Sequence, residues 1–225
     1  MAEGKEILIL TGGTLSKAFF SEVYREHPDS RILCVDGALE KVYEWHIPVD
    51  IILGDFDTVS LELLEKYQKK RVPESVSAII EEYDPEKDLT DTHLAIERAM
   101  REKPEQIIVL GATGSRLDHV IANLHAMYEC FGKETAICFV DPVCRISMMT
   151  GKRKIKKNEA YGSYLSILPF SGTAKKVTLQ GVKYPVWQRD FSYGESIGIS
   201  NEIVENTAQI EVEGGVLLVI EAKEA

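Results

Sequence analysis

No apolar run in this 225-residue chain approaches the roughly 20 residues that a membrane-spanning helix needs. The opening "MAEGKEILILTGGTL" lacks the basic, apolar, then small-residue layout of a secretory signal. Positive charge is scarce: 26 Lys and Arg stand against 36 Asp and Glu, a formal net charge of -10. Such a chain has no broad affinity for nucleic acid or an anionic membrane, although a small anion held by a metal ion and a few local cations is compatible with it. Cysteine is sparse too. Cys34, Cys130, Cys138 and Cys144 form no CxxC pair, and Cys34 and Cys138 sit in strand-like runs, which predicts buried free thiols. Together these absences predict a cytoplasmic protein that uses neither membrane nor nucleic acid as a partner. Familiar catalytic signatures are missing as well. There is no GxxxxGK[ST] loop, no GxGxxG and no Ser–His–Asp or Cys–His arrangement. His119 and His125 are six residues apart and share no helix face well, so with His93 they are not expected to bind a metal. Trp45 and Trp187 read as packing residues. No internal repeat or low-complexity segment is visible.

What is present is an alternation. "EILILTGG", "RILCVDGA", "VDIILGDFD", "QIIVLGATGS" and "TAICFVDPVC" read as strands, with a weaker one in "SAIIEEYDPEKD". Between them "SKAFFSEVYREH", "LEKVYEWH", "SLELLEKYQKK", "DTHLAIERAMREK" and "RLDHVIANLHAMYEC" read as helices, with Ser60 as an N-cap. Strands that are apolar throughout and separated by helices predict a parallel, Rossmann-like sheet covered on both faces. After about residue 150 the texture changes. "GKRKIKKNEAYG" reads as a basic, turn-rich connector, and short alternating runs such as "YLSILPF", "KKVTLQG" and "AQIEVEG" follow. The reading is therefore α/β over residues 1–150, followed by an antiparallel β-sandwich over 151–225.

In a parallel sheet, ligands bind beyond the C-terminal strand ends. Every candidate site residue stands there: Thr11 and Gly12, Asp36 and Gly37, Asp55 and Asp57, and the "GATGSR" loop with Gly111, Thr113, Gly114 and Arg116. If "GDFD" is extended, Asp55 and Asp57 point the same way and repel each other unless a cation lies between them. On the bland reading they are solvated carboxylates at a strand exit. A second acidic group, Asp88 and Asp91 in "DPEKDLTDTHL", stands where a helix begins, a place often taken by a simple cap. Both groups at one rim favour Mg²⁺, a hard cation suited to carboxylates and substrate phosphates. The glycines of "GATGSR" let the backbone approach a ligand, the helix start favours anions, and Arg116 offers a fork of donors to phosphate. A plain strand-to-helix turn would use the same glycines. Asp118 in the first helical turn suits the helix dipole. Lys87 is either a solvated loop lysine or a cation beside phosphate.

In combination, "CVDGALEKVYEWHIPVDIILGDFDTVS", "DPEKDLTDTHLAIERAM", "IIVLGATGSRLDHVIANLH" and "ESIGISNEI…AQIEVEGGVLLVI" resemble the successive blocks of thiamine pyrophosphokinase, in order and over nearly the whole chain. The resemblance implies an α/β domain joined to a β-sandwich domain and a homodimer with a shared active site. It also implies transfer of pyrophosphate from ATP to thiamine with Mg²⁺. Residue by residue, it places Asp55, Asp57 and Asp91 at the metal, with Asp88 close by. Lys87, Thr90 and Arg116 fall around the nucleotide phosphates, and Asp36 and Asp118 at acidic active-site positions. Ser200 and Asn201 fall in the thiamine-pocket segment. One departure is visible: after Asp36-Gly37 the family usually has another small residue, then Asn or Arg, and here Ala38, Leu39 and Glu40 follow.

Two rival functions share parts of this pattern. A phosphatase of the haloacid dehalogenase type also carries Asp-x-Asp after an apolar strand, and Asp55 would then be the nucleophile. That motif usually follows the first strand, whereas here it follows the third, and no late acidic pair follows another strand. A non-catalytic thiamine- or nucleotide-binding regulator would keep the fold, but the intact set of acidic residues argues against it.

Overall fold

The computed structural model describes residues 6–56, 59–68, 78–84 and 88–224. The contacts divide the chain into two compact units, 1–141 and 142–225.

The first unit is built from β1 (Glu6–Leu10), α1 (Lys17–Glu26), β2 (Arg31–Val35), a 3-10 turn (Asp36–Ala38) and α2 (Leu39–Trp45). It continues with β3 (Ile51–Gly54), α3 (Leu61–Gln68), β4 (Ile79–Glu82), α4 (Asp91–Met100), β5 (Gln106–Leu110), α5 (Leu117–Glu129) and β6 (Ala136–Val140). The strands pair in parallel in the order β6-β5-β1-β2-β3-β4. β1, β2, β3 and β5 are buried at nearly every position, so both faces of the sheet are covered and alternation is lost from the sequence. β4 is the edge strand, and Ile79 there is exposed. Side-chain caps start α1, α3 and α4: Ser16 Oγ accepts from Phe19 N at 3.2 Å, the expected cap Ser60 Oγ from Leu63 N at 3.3 Å, and Thr90 Oγ1 from His93 N at 3.3 Å. Each apolar helix face then packs inward, as with Phe19, Phe20 and Val23 of α1. The chain runs β1 to β4 on one side of β1 and then crosses to place β5 and β6 on the other. The topological switch point therefore lies between β1 and β5, where an open parallel sheet leaves a crevice.

The second unit holds β7 (Cys144–Lys156), β8 (Tyr164–Pro169), β9 (Ala174–Gln180), β10 (Val186–Phe191), β11 (Asn201–Glu202) and β12 (Thr207–Ala222). All its pairings are antiparallel. β7 and β12 form one long ribbon with a break in register between Val212 and Leu217. The first half of β12 continues through β9 to β10, and the second half pairs β8. Side chains from both halves, among them Phe191, Leu165, Ile167, Ile210, Leu217 and Val219, share one apolar core.

Three expectations need correction. The boundary expected at residue 150 falls inside β7, and the division lies at 141/142. "GKRKIK" is the second half of that strand rather than a connector: Lys152, Lys154 and Lys156 are exposed on alternate positions while Ile155 is buried. Trp187 is 69% exposed, so it is a surface residue of β10 and not a packing one. The thiols follow the expectation. All four cysteines are free, Cys34, Cys130 and Cys138 are buried, and burial pushes the Cys34 thiol well above its ordinary range. No helix among the described residues is long and apolar enough to cross a membrane.

Candidate active site

Three carboxylates meet at the C-terminal edge of the parallel sheet. Asp36 leaves the end of β2, Asp55 follows β3, and Asp91 is the first residue of α4. Their oxygens lie within 4.8 Å of one another, and Asp36 is buried while the other two are half-buried. Local sequence explains how they converge. Gly54 ends β3 beside the Asp36 side chain, and a Cβ at Gly54 would stand 2.6 Å from Asp36 Cβ. Glycine there is what lets β2 and β3 bring both acids to one point. Asp36 Oδ1 also accepts from Gly37 N at 2.5 Å, which orients the carboxyl group. Phe56 takes a left-handed backbone conformation (φ 59°) with its ring buried. This conformation costs a non-glycine residue energy and tends to occur at functional sites. It also overturns the extended geometry expected for "GDFD": the chain turns immediately after Asp55. Asp57 itself, like Lys87, lies outside the described residues. Asp88 is exposed and is not part of the cluster. Thr90 serves as the cap of α4.

Beside this cluster, at the switch point, is a cleft of about 430 Å³. Its floor is the loop after β1 (Thr11 to Thr14) laid against the loop after β5 (Gly111 to Arg116). The loops join backbone to backbone: Gly13 N donates to Gly111 O at 3.1 Å and Thr14 N to Thr113 O at 2.9 Å. A Cβ at Gly13 would lie 2.2 Å from the carbonyl oxygens of Gly111 and Thr113, so only glycine allows this approach. Thr92, His119, Val120 and Asn123 complete the walls. Buried Asn123 donates Nδ2 to Ala112 O at 2.8 Å, and Thr113 Oγ1 donates to the buried Asp141 carboxylate at 2.7 Å. The cleft adjoins the acidic cluster. Asp91 and Thr92 are consecutive, and Gly12 packs against Gly37, the residue after Asp36.

Thr11, Gly12, Gly111, Thr113 and Arg116 thus line one cavity. Arg116, 70% exposed, makes a two-pronged contact with Asp118, at 2.9 Å from Nε to Oδ1 and 2.6 Å from Nη2 to Oδ2. That guanidinium holds the Asp118 carboxyl well below the usual carboxylate range. Asp118 is therefore the partner that orients Arg116, a role more specific than complementing the helix dipole.

Ser200 and Asn201 belong to the second unit. Ser200 N donates to Ser166 Oγ at 2.9 Å. Asn201 is buried, and its side-chain amide pairs in both directions with the backbone of Tyr184, at 3.0 Å and 2.8 Å. The Asn201 amide is committed to the fold.

Sequence reasoning placed Asp36 at the rim but not among the clustered carboxylates, because the room that Gly54 makes for it is a tertiary fact. Thr92, Asn123 and Asp141 were also missed. The buried Asn on an otherwise apolar face of α5 was the one available signal.

The donor set is all carboxylate, the chemistry that suits a hard divalent cation, and the glycine-floored cleft suits a polyanion brought close to backbone.

Residues 26–139 match the family model described as thiamin pyrophosphokinase, catalytic domain, and residues 152–217 match thiamin pyrophosphokinase, vitamin B1 binding domain. The chain is 32% identical over 175 residues to the thiamine pyrophosphokinase of Bacillus subtilis (strain 168), an alignment covering 77% of this chain and 78% of that one. Among solved structures, the Bacillus subtilis thiamine pyrophosphokinase superposes with a TM-score of 0.84 at 25% identity, over 98% of this chain and all of that one. The Geobacillus thermodenitrificans protein gives 0.80 at 25% identity, over 98% of each chain.

Proposed function

The chain belongs to the thiamine pyrophosphokinase family, and on that premise we propose how its residues transfer pyrophosphate from ATP to the hydroxyl of thiamine, with AMP as the second product. The observation that carries the proposal is the convergence of Asp36, Asp55 and Asp91 within 4.8 Å beside a glycine-floored cleft. In the reaction a bond forms between the thiamine oxygen and the β-phosphorus of ATP. The bond from that phosphorus to the α-phosphate oxygen breaks. Positioning and charge neutralisation carry most of the catalysis in transfers of this class.

Asp55 and Asp91, with Asp57 of the same "GDFD" sequence, would hold Mg²⁺, and Asp36 completes their side of the site. Bound there, the cation would neutralise charge on the phosphates and fix their geometry. Asp88 is exposed and fits an outer, water-mediated position. The triphosphate of ATP would lie along Thr11 to Thr14 and Gly111 to Thr113, where glycines admit it to the backbone. Arg116 faces the same cavity with its fork already oriented by Asp118. Lys87 and Thr90 would border the phosphates.

The second unit would take thiamine through the Ser200 segment. A homodimer with a shared active site is part of the proposal. Tyr184, Trp187, Tyr193, Ile197 and Ile199 leave exposed apolar surface on that unit, of the kind that association covers. A cytoplasmic location is in keeping with four free thiols.

The test is incubation of purified protein with ATP, Mg²⁺ and thiamine. AMP and thiamine diphosphate should form in equal amounts, and only when thiamine is present. Inorganic phosphate released without thiamine would instead indicate a phosphatase, and no product at all a binding protein.

A further inference from the structure

Lys41 lies in α2, directly after the three residues Ala38 to Glu40 that depart from the family pattern, and it does not line the cleft. Its half-buried ammonium nevertheless reaches the cleft floor from behind, donating to the carbonyl oxygen of Gly13 at 2.9 Å. The following N–H, that of Thr14, donates to Thr113 O at 2.9 Å. In a trans peptide the carbonyl and the next N–H point in opposite directions. Lys41 and Thr113 therefore grip the two ends of a single peptide group, Gly13–Thr14. Gly13 cannot shift sideways to compensate, because its α-carbon is already packed against the carbonyls of Gly111 and Thr113. The β5 loop has a matching support from the other side, since Asn123 of α5 holds Ala112 O at 2.8 Å. Each loop of the floor is thus fixed through a carbonyl by a side chain from a helix.

We propose that Lys41 is a positioning residue for ATP: by holding the Gly13 carbonyl it sets the plane of the peptide against which the phosphates pack. The inference rests on the reading of this cleft as the ATP site. Loss of the ammonium leaves the Gly13–Thr14 peptide fixed at one end only, and the bound phosphates then meet a floor that must be ordered at each binding event. The cost falls on ATP and not on thiamine. An arginine in the same place retains charge and reach, whereas methionine keeps the stem and removes the donor.

The experiment compares wild type, Lys41→Met and Lys41→Arg. KM for ATP and for thiamine are measured separately, with thermal melts and equilibrium binding of a non-hydrolysable ATP analogue alongside. Lys41→Met should raise KM for ATP and weaken analogue binding by about 10-fold to 100-fold, the range of a charge-assisted hydrogen bond. It should leave KM for thiamine and the melting temperature unchanged, and lower kcat less than it raises KM. Lys41→Arg should recover most of the loss. A Lys41→Met protein with wild-type ATP affinity overturns the inference, and so does one that only melts earlier with KM unchanged. If Lys41→Met does not fold, Lys41→Gln carries the same comparison. A wild-type protein that makes no AMP from ATP and thiamine contradicts the function, while analogue binding still decides the role of Lys41.

Discussion

The second unit and the carboxylate rim of the first handle charge in opposite ways. In the second unit, charges of opposite sign face each other across strands. Arg145 and Glu221 are directly opposite on β7 and β12 and pair through two contacts of 3.0 Å and 2.8 Å. Lys152 and Glu211 repeat the arrangement at 2.8 Å, and Lys183–Glu202 and Lys175–Asp190 pair at 2.6 Å and 2.8 Å. At the rim of the first unit three charges of one sign are gathered within 4.8 Å. Cross-strand pairs of opposite sign stabilise a sheet. Like charges brought together raise the free energy of the fold, and the proposed cation site would account for their convergence. In the second unit these pairs support the fold, whereas the role proposed for the rim carboxylates of the first is chemistry, so substitutions at the two places should separate stability from activity.

The largest effect is expected at the acidic cluster. Asp55→Asn and Asp91→Asn keep shape and remove one charge. AMP formation should fall by about 10²- to 10³-fold, corresponding to several kcal/mol of transition-state stabilisation. The thermal melt in EDTA should hardly move. Glu221→Gln should give the opposite pattern. Glu221 is 5% exposed and also accepts from Tyr161 N at 3.0 Å. Breaking a fully buried pair costs about 3–5 kcal/mol, and partial exposure of Arg145 reduces this to about 2–3 kcal/mol in denaturant unfolding. Turnover of the folded protein should stay normal. A Glu221→Gln protein that is inactive but stable would dissolve the contrast.

Smaller effects sharpen it. Arg116→Ala should lower kcat/KM for ATP by about 10-fold to 100-fold through loss of a charge-assisted contact. Stability should scarcely change, since the side chain is 70% exposed. Asp118 provides the least effect and a pH test. Its carboxyl is held low by Arg116, so any stabilisation from the pair is present above the ordinary value of 3.8 and is lost as pH falls through the lowered value. In Arg116→Ala the Asp118 titration, followed by NMR, should move up toward the ordinary value.

The parallel sheet was legible because buried strands such as "ILIL" and "IIVL" are apolar without alternation. So were the rim residues, since strand ends can be read from where those runs stop. "GKRKIKK" misled because β7 is solvated at alternate positions and its lysines, of which Lys152 meets Glu211 of β12 far along the chain, carry no local strand signal. The membership of Asp36 in the cluster, the turn at Phe56 and the grip of Lys41 on Gly13 were hidden for the same reason: each depends on an approach between segments that no spacing records.

The central claim is that Asp36, Asp55 and Asp91 together form a divalent-cation site for the transfer. Titration of Mn²⁺, a spectroscopic substitute for Mg²⁺, into wild type, Asp36→Asn and Asp55→Asn tests it directly, with free Mn²⁺ followed by electron paramagnetic resonance in the presence of a non-hydrolysable ATP analogue. The account predicts one tight site per chain in wild type, weakened by about 10-fold or more in each variant, in line with the loss of a ligand from a carboxylate site. Equal Mn²⁺ binding by all three proteins would contradict it.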